Sequence, residues 1–237
     1  MFSIVHVHFR WMSNLDGKPG FNRQILNALR EKHLSDPWQY TLCSVMVDSM
    51  AIKNHIEWDQ NAGSMTGFVN LELSSVQDTD SDEVAPEAVV ILAVGLLGHW
   101  KAPIAYFLTS KLAATLQGEL LRQAIIELES VGLSTVALVM DGLAANVRMV
   151  KDFGCTLDVD NISPFFPNPV DPSKQIAVVF DACHMLKLMR NTLHCYKAIS
   201  LPGKGIARFH HFRLLNDTQK EGLRAANRLT TRHIDFV

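Results

Sequence analysis

Residues 134–154, "STVALVMDGLAANVRMVKDFG", run five apolar residues straight into Asp141 and then change to a helical pattern that Gly154 closes. A carboxylate at the end of a buried strand is costly to desolvate unless it is hydrogen-bonded, paired or bound to a cation. Asp141 therefore has two readings. It is a turn or cap residue, or it is half of an ion-binding site. The same arrangement occurs twice more: "YTLCSVMVDSM" reads as a buried strand over 40–47 ending at Asp48, and "QIAVVFD" as one ending at Asp181.

Working outward, Leu112, Leu116, Leu120, Ala124 and Leu128 recur at helical spacing, which predicts a helix over 111–131 with Ser110 as N-cap and Gly132 as stop. Before it, "AVVILAVGL" and "APIAYFL" read as strands joined by a "GHWK" turn, and "NHIEWD" and "GFVNLEL" as alternating antiparallel strands. The acidic stretch "SSVQDTDSDEVAPEA" reads as a loop. Near the start, "DGKPGFNRQILNALREK" predicts a short amphipathic helix, with Phe21, Ile25, Leu26 and Leu29 on one face.

Downstream, "SPFFPNPVDPSK" reads as a proline-rich linker. The helix "ACHMLKLMRNTLHC" follows the third strand, with Met185, Leu186, Met189 and Leu193 on one face and His184, Lys187, Asn191 and His194 on the other. A loop "LPGKGI", the aromatic "RFHHF" and a last basic helix, "TQKEGLRAANRLTTRHI", complete the order. No internal repeat, coiled-coil heptad, Walker loop or GxGxxG is present.

With 48% apolar and 19% charged residues the chain has the composition of a globular protein with a core, and 237 residues fit one domain plus part of another. The net charge of −2 hides a polarity. Residues 182–237 hold ten Lys and Arg against three acids, whereas residues 39–181 hold seven against eighteen. A basic segment beside an acidic body suits phosphate binding near a carboxylate site, or is simply a solvated surface.

The four cysteines lack CxxC spacing, which implies free thiols, no zinc site and a reducing compartment. "AVVILAVGLLGHW" is too short to span a bilayer, and "MFSIVHVHFRWM" lacks the features of a signal peptide, so an intracellular protein without a membrane segment is expected. Trp11, Trp38, Trp58 and Trp100 are expected in the core.

A sheet begun by an antiparallel meander and continued by strand–helix–strand units is the plan of the ribonuclease H-like fold. The fold class is accordingly α/β, a mixed sheet flanked by helices. Asp48 and Asp141 then lie on neighbouring strands about 4.8 Å apart, and two-metal sites hold their ions roughly 3.5–4 Å apart. Hard oxygen ligands of this kind imply Mg2+ or Mn2+. Asp181 is either the N-cap of the next helix or a further metal ligand. His184 is either a hydrogen-bonded structural histidine or a ligand, and Lys187, Arg190 and Arg228 are solvated cations or contacts to phosphate.

Six ordered stretches, "SVMVDSMAIKNHIEWD", "GFVNLEL", "LLGHWKAPIAYFL", "VALVMDGLAANVRMVKDFG", "VVFDACHMLKLMRNTL" and "EGLRAANRLTTRHIDF", give a more specific signal. In this order they resemble the central region of P element-type transposases, including the THAP-domain transposase-like proteins of animals, over residues 11–236. The resemblance implies a ribonuclease H-like domain that cuts and joins DNA with magnesium, interrupted by a helical insertion that binds GTP, in a nuclear protein whose oligomeric state is left open. By motif match Asp48 and Asp141 correspond to the family's first two catalytic aspartates, and "FDACHMLKLMRN" to its motif at the entry to the insertion.

The implied organisation is a helical lead-in over 1–38, an incomplete ribonuclease H-like domain over 39–181 and the start of the GTP-binding-type insertion over 182–237. "MFSIVHVHF" has no counterpart of the zinc-binding THAP module. The resemblance breaks off at Val237 inside the insertion, so the family's third acid, a glutamate, and most of the guanine nucleotide site are expected outside these residues. The expectation is a transposase-derived chain that is weak or inactive in isolation or, alternatively, a domesticated module that binds nucleic acid or a partner without catalysis.

Overall fold

The structure, a computed structural model, describes residues 17–60, 63–71, 82–158, 160–219 and 230–235. A two-residue strand β1 (Gly20–Phe21) leads into helix α1 (Arg23–Ser35), where Asn22 caps the first turn by accepting from the Ile25 N–H at 3.0 Å. Ile25, Leu26 and Leu29 are the buried face of α1, as their spacing predicts. A single turn, α2 (Pro37–Tyr40), starts on Pro37 and brings the chain to β2 (Leu42–Ala51). The small hairpin β3 (Glu57–Asp59) and β4 (Ser64–Thr66) precedes the long hairpin β5 (Glu87–Gly95) and β6 (Lys101–Thr109). Most of the acidic loop lies outside the described residues, as does Trp11.

Helix α3 (Ala114–Ser130) begins later than its apolar periodicity suggests. Lys111 has φ +59°, a left-handed conformation that no helix continues through, and the Ser110 hydroxyl donates to Glu83 Oε1 instead of capping. At the other end Gly132 has φ +91° and closes the helix, with the Leu133 N–H donating to the Leu128 carbonyl. Strand β7 (Ser134–Met140) and helix α4 (Ala144–Asp152) follow, and Gly154 ends α4 in the same left-handed manner.

A hairpin of β8 (Thr156–Asp158) and β9 (Asn161–Ser163) precedes β10 (Phe165–Pro167) and β11 (Gln175–Phe180). The proline-rich stretch is thus an edge hairpin and not a linker. Proline lacks a donor but is accepted at a sheet edge, where only one side of the backbone must pair.

The main sheet runs β1-β6-β5-β2-β7-β11-β10. β2 lies between antiparallel β5 and parallel β7, and β11 is parallel to β7. Val45, Val47, Ile91, Leu138, Met140 and Ile176 on the strands join Leu120, Leu121, Ile125 and Leu128 of α3 in a single buried cluster with α1 and α4. The alternate strand positions behave differently: Met46 and Val179 are 38% and 47% exposed. β11 is therefore buried on one side only, where a fully buried strand is expected from its composition. Trp38 and Trp58 are exposed as well, and among the described tryptophans only Trp100 packs on this core, stacked on Tyr40 at 5.1 Å.

Residues Ala182–Val237 form a second unit. Helix α5 (Ala182–Tyr196) is followed by the hairpin β12 (Ala198–Leu201) and β13 (Gly205–Arg208), then α6 (His210–Thr218) and α7 (Thr231–Asp235). Of the apolar face of α5, only Leu193 is buried, against Phe209 and Ile234; Met185, Leu186 and Met189 are exposed. The aromatic "RFHHF" stretch opens α6, and the expected last helix is described only at its end, as α7. Among the described residues no helix is long and apolar enough to cross a membrane.

Candidate metal centre

Asp141 follows the last residue of β7, so this strand does run into a carboxylate. Asp48 differs from expectation. It lies inside β2, because Ser49, Met50 and Ala51 go on pairing with Val89, Ala88 and Glu87 of β5. On its other side the parallel ladder to β7 ends at the pair Met46–Val139. Counted on along each strand, Asp48 and Asp141 are each two residues beyond that last pair, on strands that are neighbours in the sheet.

A bulge produces this match. Cys43 pairs with Thr135 but Ser44 pairs with Ala137, leaving Val136 as an extra residue in β7. Were Val136 paired in step with Ser44 and not bulged, Met140, not Asp141, would come level with Asp48. β11 continues the row: Phe180 pairs with Met140, and the Asp181 N–H donates to the Met140 carbonyl at 2.8 Å, so Asp181 stands level with Asp141 one strand further out. The strand of Asp181 is separated from that of Asp48 by β7. Among the described residues no three His, Cys, Asp or Glu side chains come together as a metal-holding group, so these aspartates do not form a three-ligand cluster.

The two inner carboxylates are held differently. Asp48 is exposed, and its Oδ1 accepts from the Ser49 N–H at 2.9 Å. Asp141 is half-buried, and its Oδ1 accepts from the Leu143 N–H at 3.1 Å and from Asn146 Nδ2 at 2.5 Å. Asn146, on α4, is 7% exposed, and its own Oδ1 accepts from Gln117 Nε2 of α3 at 3.0 Å. Sequence reasoning did not single out Asn146 or Gln117. The available signal was a polar residue on the same helical face as Met149 and Val150, both buried.

The remaining candidates belong to the second unit. His184 is half-buried, Lys187 is exposed, and Arg190 donates through Nε and Nη2 to Asn191 Oδ1 at 3.2 and 2.8 Å. Arg228 lies outside the described residues. The imidazole of His194, packed edge-on against Phe209 at 4.8 Å, is held below its ordinary pKa by desolvation and by the charges of Lys197, Arg190 and Arg213. Cationic side chains thus gather around His194. The four cysteines are free, Cys43 and Cys155 buried, Cys183 and Cys195 exposed.

Residues 17–154 match the model of the TNP-like, RNase H N-terminal domain, and residues 183–237 that of the TNP-like, GTP-binding insertion domain. The chain is 35% identical over 201 residues to the human protein named DNA transposase THAP9, which covers 85% of this chain and 22% of the relative. It is 22% identical over 229 residues to the Transposable element P transposase of Drosophila melanogaster, covering 96% of this chain and 27% of that protein. The chain therefore spans about a quarter of the length of these relatives.

A solved structure of the Drosophila P element transposase strand transfer complex superposes with a TM-score of 0.67 at 21% identity, over 98% of this chain and 46% of that one. That likeness shows the fold, a ribonuclease H-like mixed sheet. Taken with the two domain matches and the identity to the human relative, it establishes that the chain belongs to the P element-type transposase family, carrying a ribonuclease H-like N-terminal domain and GTP-binding insertion sequence.

Proposed function

We propose that the first unit supplies two metal-binding carboxylates, Asp48 and Asp141, to a P element-like site for cutting and joining DNA. The observation that supports this reading is the register of β2 and β7, whose last pair, Met46–Val139, lies two residues before Asp48 on one strand and two before Asp141 on the other. One oxygen of each carboxylate is held by a backbone N–H, from Ser49 and from Leu143, which limits the reorientation needed on binding a divalent cation. Magnesium or manganese bound there would lower the pKa of an attacking water or 3′ hydroxyl and stabilise the departing oxygen of a phosphodiester. The role of the protein is to fix those donors and their separation.

Two carboxylates are fewer than such a site needs, and Asp181 stands one strand further out. The 237 residues by themselves are therefore expected to bind the cation weakly and to cut DNA slowly or not at all. The test is magnesium titration of the chain by calorimetry, with Asp48→Ala and Asp141→Ala beside it. We expect each substitution to weaken binding about tenfold or more; equal binding by all three proteins would remove the site. On this reading guanine nucleotide binding goes with the insertion domain, and a nuclear location with the DNA substrate.

A second reading is favoured by the ten cations of residues 182–237, of which Lys197, Arg190 and Arg213 act on His194: a module that binds nucleic acid without catalysis. It calls for a salt-sensitive DNA affinity that falls when Lys187, Arg190, Arg224, Arg228 and Arg232 are neutralised and is unmoved by Asp48→Ala. Magnesium-dependent strand cleavage lost in Asp48→Ala decides for the first.

A further inference from the structure

Asp141 Oδ1 accepts from two donors, the Leu143 N–H and Asn146 Nδ2. A carboxylate oxygen has about two lone-pair positions, so both on Oδ1 are taken. What remains for a cation is Oδ2. The second donor is no surface accident: Asn146 is 7% exposed, and a buried amide must have its hydrogen bonds met. Its nitrogen faces Asp141, and also lies 3.4 Å from the Asp141 carbonyl, while its oxygen accepts from Gln117 Nε2.

The carboxylate of Asp141, which only accepts, fixes which way round the Asn146 amide sits, and the Gln117 donor meets the oxygen left on the other side. Were that amide reversed, its oxygen would meet the Asp141 carboxylate and its nitrogen would face the Gln117 nitrogen, two like-with-like contacts. The relay from α3 through α4 to the rim of β7 thus has one satisfied orientation.

Resting on the two-carboxylate reading above, we infer that Asn146 is a positioning residue that occupies Asp141 Oδ1 and commits Asp141 to bind a divalent cation through Oδ2 alone, with Gln117 satisfying the Asn146 oxygen. The relay gives a half-buried carboxylate that has no salt-bridge partner among the described residues two hydrogen bonds on one oxygen, and it ties α3 and α4 to the geometry of the site. Asn146 touches no reacting atom and acts through Asp141.

Mn2+ binding to the 237-residue chain, read by electron paramagnetic resonance with the melting temperature of each variant measured alongside, tests this. Asn146→Ala is expected to weaken Mn2+ about tenfold. Gln117→Glu, nearly isosteric, turns the donor into an acceptor, draws the Asn146 nitrogen away from Asp141 and is expected to weaken Mn2+ to a similar degree. Gln117→Met, which removes the donor without replacing it by an acceptor, is expected to have the smaller effect.

Unchanged Mn2+ affinity in a folded Asn146→Ala protein, with Asp141→Ala losing it, overturns the inference and leaves the carboxylate site standing. Should Asn146→Ala not fold, native affinity in Gln117→Glu overturns it equally. Absence of binding by the unsubstituted chain brings down the two-carboxylate reading and this inference with it.

Discussion

Cys43 sits at 0% exposure in the central strand, its thiol 3.8 Å from the Ser134 carbonyl and 3.9 Å from the Thr135 hydroxyl. Burial pushes this thiol up to about 12; the Thr135 hydrogen bond acts the other way, and the nearby Glu129 charge adds to the rise. In the unfolded chain the same thiol ionises near its ordinary pKa of about 8.5. Between roughly pH 9 and pH 12 the unfolded state therefore binds fewer protons than the folded one, and stability falls as pH rises, by up to about 1.4 kcal/mol per pH unit. Cys155, also raised by burial, adds to this slope. Urea midpoints measured from pH 8 to pH 10.5 should drop, and Cys43→Ala should flatten part of the drop; a pH-independent midpoint would contradict the account.

At the scale of elements, the turn from α3 into β7 sets where Asp141 ends up. Gly132 adopts φ +91°, and a Cβ there would lie 2.6 Å from His33 Cδ2, so the position excludes a side chain for both conformational and steric reasons. Just beyond it, Glu129 Oε1 accepts from the Thr135 N–H at 3.1 Å and from Nδ2 of the fully buried Asn168 at 2.7 Å, pinning α3 to the start of β7 and to the edge hairpin. Gly132→Ala is expected to destabilise the chain by about 1–2 kcal/mol, measured by urea unfolding. The capping and stop glycines of this region were readable in the sequence because φ > 0 is nearly a glycine property. The late start of α3 was not, since it depends on Lys111 and on a Ser110 hydroxyl engaged with Glu83, a residue 27 positions away.

Considered whole, the molecule divides its stability unevenly. The first unit, Met1–Asp181, holds the large core in which strands and helices share one apolar cluster. Among the described residues of the second unit only Leu193, Phe209 and Ile234 form a buried cluster, with Ile199 and Ala207 packed beside them. The described side chains of this unit therefore bury less apolar surface than those of the first, and burial of that kind is what offsets the entropy of ordering the chain. Limited trypsin digestion of the native chain is expected to cut within residues 182–237 first and to leave a product retaining β2 through β11; cleavage of β2 or β7 before α5 would refute this.

The apolar runs, the helical periodicity of α3 and the stop glycines determined the elements and their α/β order, because these depend on neighbours in the chain. The residue types also determined the chemistry on offer: hard carboxylate oxygens, free thiols, a basic final segment. What only the tertiary structure decided is alignment. The extra residue Val136 sets the register that places Asp141 level with Asp48, and the Gln117–Asn146 relay spans three elements to hold one oxygen of Asp141. Both arise from pairing between residues distant in sequence, which periodicity does not encode.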